Sequence, residues 1–356
     1  MVNEHSGEPA PRASLATIWS MQYLRAVAAL GVVLFHCLGD AGSEFHLGAA
    51  GIHLFFTLSG FMMWSIAKDG RARPLPFLLG RIRRIVPMYW IATAIAVAST
   101  YVVPGFFYQA TTQISKIVKS LFFIPQLGVD GGVFPVLYQG WTLQYEIFFY
   151  LLFALCLLGP ASFRIRLLCG LFAALAVTGT ILEPQSPIPH VYTDPICLEF
   201  AAGALVAHCG WRLHSFRRAM CAAICGAVTF CLSDHYEPVL GYAAPLMLAA
   251  TASTLIVGLL SLEDQGRIPH VGLFLLLGEA SFSIYLFQDL GFALVSQLIE
   301  TSKPLVIVTL SALGAVVTGV TIHWIVERPL IVLMKRLAGR HRAVPPPLLL
   351  PASAQL

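Results

Sequence analysis

An arginine and a histidine stand eleven residues apart in the apolar run YLRAVAALGVVLFHC: Arg25 near its start and His36 near its end. On a helix that spacing is about 16 Å, so a histidine anchored to an interfacial arginine would lie near the middle of a bilayer. A charge there costs about 2.5–3.5 kcal/mol or more. A neutral imidazole can instead serve as a general base or a transient acyl acceptor in a dry cavity. The same histidine could be a core residue bonded to a neighbouring helix, and Arg25 alone could be a snorkelling topology anchor. A second ionisable group, Glu146, interrupts GWTLQYEIFFYLL. A carboxylate at that depth must be paired, protonated or hydrated, which makes it a candidate partner for His36 or Arg25. In FLLGRIRRIVPMYW, Arg81, Arg83 and Arg84 crowd the start of another apolar run. Guanidinium groups suit phosphate, so the three are candidates to clamp a phosphorylated cytosolic donor; they could also only enforce topology.

These residues need membrane helices to position them. The chain has 356 residues, 57% hydrophobic and 11% charged, against about 25% charged for an ordinary soluble domain. The composition predicts an all-α, polytopic integral membrane protein and excludes disorder and a secreted disulfide scaffold. A formal charge of +4 is too dispersed for a nucleic-acid partner. Apolar runs near 22–38, 49–67, 85–104, 138–158, 166–183, 195–210, 217–233, 239–260, 271–297 and 305–326 predict about ten transmembrane helices, those at 166–183 and 195–210 being short. With the amino terminus inside, nineteen Lys and Arg fall on the cytoplasmic side and three outside, which places both termini in the cytoplasm. The expected organisation is a cytoplasmic tail over 1–20, a transmembrane domain over 21–330, and a basic, proline-rich cytoplasmic tail over 331–356.

Other groups invite plainer readings. The eight cysteines lie in or beside apolar runs, and Cys221 and Cys225 read as buried small hydrophobes rather than metal ligands. His53 and His323 fall nearer the interfaces, where structural roles are expected. Glu199, Glu279 and Asp289 add acidic groups to apolar runs and suggest a hydrated cavity. Buried His and Glu would also suit a proton relay in a transporter or a flippase of a lipid-linked saccharide; the inverted repeats that would favour that class do not stand out.

Seven segments in order resemble the membrane-bound acyltransferase 3 family, especially its exopolysaccharide-decorating branch: LR and H at 24–36, GIHLFFTLSGFMMW at 51–64, RIRRIVPMYW at 81–90, GWTLQYEIFFY at 140–150, DPICLEFAAG at 194–203, GEASFSIYL at 278–286 and ERPL at 327–330. The resemblance implies a ten-helix enzyme of the bacterial inner membrane. It would move an acetyl group from acetyl-CoA, a co-substrate rather than a bound cofactor, to a hydroxyl of a carbohydrate acceptor that can be lipid-linked. No metal is implied. By position, Arg25 and His36 match the family's arginine–histidine pair, Arg81 and Arg84 its paired arginines, and Glu146 its acidic residue in the fourth span. The expected roles are His36, Glu146 and Arg25 in catalysis and Arg81, Arg84 and Arg83 in donor binding. Two departures are His53, where relatives often carry aspartate, and Gln288, where they often carry histidine.

Overall fold

The computed structural model describes residues 18–40, 48–68, 70, 72–103, 106–235, 237–299 and 303–340. The expected amino-terminal tail lies outside the described residues except for 18–20 and the carboxy-terminal tail except for 331–340; the proline-rich segment at 345–351 lies outside them. The described chain is helical, with one isolated bridge between Leu127 and Val133 as its only β pairing.

In order the helices are α1 (Trp19–Asp40), α2 (Ala50–Ala67), α3 (Pro74–Val102), α4 (Ile114–Leu121), α5 (Gly140–Cys156), α6 (Arg164–Leu182) and α7 (Pro187–Tyr192). There follow α8 (Leu198–Cys209), α9 (Phe216–His235), α10 (Glu237–Leu240), α11 (Ala244–Asp264), α12 (Gly272–Leu298), α13 (Pro304–Ile322) and α14 (Arg328–Arg340). Eight helical stretches among the described residues are long and apolar enough to cross a membrane: α1, α2, α3, α6, α9, α11, α12, and α13 running on into α14. The chain is a multi-pass membrane protein. Two of the ten expected spans are shorter. The segment expected at 138–158 forms the 17-residue α5, and that at 195–210 forms a single 3-10 turn and the 12-residue α8. At 1.5 Å per residue α8 is about 18 Å long, well short of a hydrocarbon core of about 30 Å.

α3 begins eleven residues before the apolar run that announced it. Pro74 opens the helix, where its missing N–H costs nothing. The arginines that a hydropathy count discounts are therefore part of the helix, two turns inside it. Arg81 and Arg84, at i and i+3, share a face, and Arg83 points about 100° away from Arg84.

Close packing sets the register between helices. α2 and α8 meet through glycines: a Cβ on Gly60 would lie 1.9 Å from the Phe200 carbonyl oxygen, and one on Gly203 1.8 Å from that of Thr57. Small residues allow this backbone approach where lipid gives no hydrophobic drive for helices to associate. Gly278 of α12 meets the Gln22 carbonyl of α1 in the same way, at 2.2 Å. This fixes α1 and α12 side by side, with residue n of one near n+256 of the other. Between α13 and α14, residues His323–Glu327 form a π-helical turn, a device that re-aims side chains and recurs at functional sites. The cysteines of α9 depart from expectation, since Cys221 and Cys225 lie exposed on the bundle surface with sulfurs 3.7 Å apart, not buried.

Candidate active site

α1, α2, α3, α5 and α12 enclose a cavity of about 830 Å³, its open mouth included, near the end of the bundle that carries the arginines. Arg25, Arg81, Arg84 and Glu146 all line it. Of the six residues expected to act, these four are brought together.

Each is held by identifiable groups. Arg25 is 8% exposed and donates from Nη2 to the Ser281 hydroxyl at 2.9 Å. Glu146 accepts from the Ser59 hydroxyl at 3.2 Å and, more closely, from the Tyr150 hydroxyl one turn along its own helix. The Ser59 and Tyr150 hydroxyls are 3.4 Å apart, so one carboxylate oxygen organises three side chains from α2 and α5. The Arg81 guanidinium lies 6.0 Å from the centre of the Phe77 ring, at the range of a cation–π contact. Elsewhere the wall is apolar, with Ile52, Phe55, Leu58, Met62 and Phe282. Three guanidinium groups and one carboxylate in such a wall suit a ligand that is anionic at one end and apolar along its length. Low polarity also strengthens every charge contact and keeps water from a reactive acyl group.

Two hydroxyls of the cavity wall are bonded to one another and to the backbone. Tyr285 of α12 lies 2.9 Å from the Thr142 hydroxyl and donates to the Gln139 carbonyl at 3.0 Å; Thr142 donates to that carbonyl at 3.1 Å. His36 is placed apart from this wall. It does not line the cavity, and its ring neighbours are Phe35 at 5.2 Å and Tyr138 at 6.0 Å, both edge to face. Tyr138 sits in the turn before α5. Glu146 lines the same cavity as Arg25, one of its two candidate partners, and the hydrogen bonds of both go to hydroxyls inside it. Arg83 is half-buried and also lies off the cavity wall.

Several partners gave no signal in the sequence. Ser59, Tyr150, Ser281 and Tyr285 carry no charge to single them out. His53, expected to be structural, meets the fully buried Glu199 at 2.6 Å and ties α2 to α8. His323 Nδ1 lies 2.7 Å from Glu327, which also accepts from the Ser283 hydroxyl at 2.7 Å, all buried. The adjacent Arg328 instead binds Glu279 at 2.8 Å on the surface. Among the described residues no group of three or more His, Cys, Asp or Glu is placed to hold a metal ion.

A cationic pocket inside a helical membrane bundle fits acyl transfer, and comparison with known proteins decides the class. Residues 18–325 match the acyltransferase 3 family model, described as an acyltransferase domain. The chain belongs to the acyltransferase 3 family. It is an acyltransferase, which sets aside the transporter and flippase readings. A similar protein is the exopolysaccharide production protein ExoZ of Rhizobium meliloti (strain 1021), 33% identical over 306 residues that cover 84% of this chain and 94% of ExoZ. No solved structure matches.

Proposed function

We propose that the protein is an O-acetyltransferase of the bacterial inner membrane, with both termini cytoplasmic, that acts in exopolysaccharide production. It moves an acetyl group from cytosolic acetyl-CoA to a hydroxyl of an exopolysaccharide sugar or its lipid-linked precursor. The observation that carries this reading is the convergence of Arg25, Arg81, Arg84 and Glu146 in one apolar-walled cavity. Similarity to an exopolysaccharide production protein supplies the acceptor class.

Arg81 and Arg84 hold the donor's phosphates at the cytoplasmic end, with Arg83 adding to the local positive potential from outside the wall. The thioester arm runs along the apolar wall past Arg25 toward His36, about 16 Å farther along α1. His36 takes the proton of the sugar hydroxyl as it attacks the thioester carbonyl, or accepts the acetyl group transiently; in either course the C–S bond breaks and CoA leaves as the thiol. Glu146, fixed by Ser59 and Tyr150, sets the charge and protonation of the cavity rather than touching His36.

The test is mass spectrometry of surface polysaccharide from cells lacking the protein, complemented with wild type or His36→Ala. The wild type should restore acetylation and the membrane-inserted His36→Ala protein should not. Retained acetyl groups in that strain would remove His36 from the chemistry.

A further inference from the structure

On α12 and at the entry to α5, one stripe of polar side chains each turns toward the interval of α1 between Arg25 and His36. On α12, Ser281, Tyr285 and Gln288 follow at i, i+4 and i+7; leading into α5, Gln139, Thr142 and Glu146 follow at i, i+3 and i+7. The bonds Arg25–Ser281 and Tyr285–Thr142 show that the stripes face one another. Gln288 lies seven residues beyond Ser281, about 10 Å, which puts it between the levels of Arg25 and His36. Gln139 is held at the same passage by the Tyr285 hydroxyl on its carbonyl. Both side chains are buried, 0% and 1% exposed, and neither the oxygen nor the nitrogen of either carboxamide has a hydrogen-bond partner among the described residues. A buried amide left unpaired costs about 1–3 kcal/mol per group, so two of them along one path call for a ligand or for water.

We propose that Gln139 and Gln288 form a subsite for the amide-bearing arm of the acyl-thioester donor, on the far side of the Tyr285 hydroxyl from the arginines. The proposal rests on the acyl-CoA reading above. A secondary amide offers one N–H and one C=O, and a glutamine carboxamide answers both. The pantetheine arm of CoA carries two such amides, and one hydroxyl, between its diphosphate and its sulfur. With phosphates at Arg81 and Arg84, amides lodged at Gln139 and Gln288 direct the sulfur toward His36.

Gln144 supplies the control. It is as buried and as unpartnered as the other two, but it points about 200° around α5 from Thr142, away from the path. The experiment uses the purified full chain with three acetyl donors: acetyl-CoA, acetyl-pantetheine without the nucleotide, and S-ethyl thioacetate without amides. Gln288→Leu and Gln139→Leu should each lower kcat/KM about tenfold with the first two donors and less than about twofold with the third. Gln144→Leu should leave all three unchanged. The two path variants should also match or exceed wild type in thermal stability, because an unpaired buried amide has been removed. Equal losses with all three donors would assign the glutamines to the acceptor or to folding and overturn the subsite. Unchanged kinetics with acetyl-CoA would mean that water alone fills the amides, which also overturns it. Wild type that transfers nothing from acetyl-CoA, yet accepts another donor, would overturn the donor reading and the subsite with it.

Discussion

Arg25 and His36 share a face of α1, yet the surroundings of the two ends differ in kind. Around Arg25 the neighbours are charged or hydroxylated: Arg81, Arg84, Glu146, Ser59 and Ser281 come from four other helices and open onto a cavity. Around His36 the ring neighbours are Phe35 and Tyr138, and it does not line that cavity. On the reading proposed above, the first end receives the anionic donor and the second supplies the base. The two substrates would then be handled at separate levels of the membrane. Only the thin acyl-bearing arm of the donor has to connect them.

Variants at the two levels should therefore separate kinetically. The largest effect is expected from Arg81→Ala combined with Arg84→Ala, since each charge-assisted phosphate contact contributes about 1.5–3 kcal/mol. Donor kcat/KM should fall roughly 100-fold or more while the acceptor KM stays put, measured with purified protein and a soluble acceptor; a matching rise in acceptor KM would erase the distinction. Next comes Glu146→Gln, which keeps the shape of the carboxyl but not its charge. A fall of roughly 100-fold in kcat fits a charge acting on the reaction, whereas a changed donor KM with kcat intact would confine it to donor binding. Tyr285→Phe removes one hydroxyl of the cavity wall and should change kcat/KM about fivefold, the scale of a single neutral hydrogen bond. A total loss would promote Tyr285 from boundary to reactant. The smallest effect belongs to Arg83→Ala, which should stay within about twofold because Arg83 acts only through the screened local potential; an effect as large as that of Arg84→Ala would place it on the donor.

Much of the arginine end was legible in the sequence because charges in apolar runs demand a reason. Arg25, Arg81, Arg84 and Glu146 were each conspicuous alone, and the fold adds that they share one cavity. What escaped notice was uncharged or misjudged by position. Ser59, Ser281 and Tyr285 carry hydroxyls that a hydropathy count treats as ordinary membrane residues. Glu327 is buried on the π-helical turn with His323 and bonded to Ser283 of α12, a register change that no periodicity announces. The length of α3 was hidden for a related reason: Arg81, Arg83 and Arg84 depress local hydropathy, so the run was read from 85 although the helix begins at Pro74. Interrupted segments mislead in the other direction. The stretch at 195–210 is apolar enough to suggest a span, but its backbone resolves into a turn and a 12-residue helix packed against α2.

The central claim is that donor binding and base chemistry occupy different levels of one path. Equilibrium binding of CoA to the purified, detergent-solubilised protein, compared among wild type, His36→Ala and the Arg81→Ala/Arg84→Ala variant, tests it most directly. The account predicts that His36→Ala binds CoA as wild type does while being inactive, and that the double arginine variant loses binding by roughly 100-fold. Weakened CoA binding in His36→Ala, or undiminished binding in the double arginine variant, would contradict it.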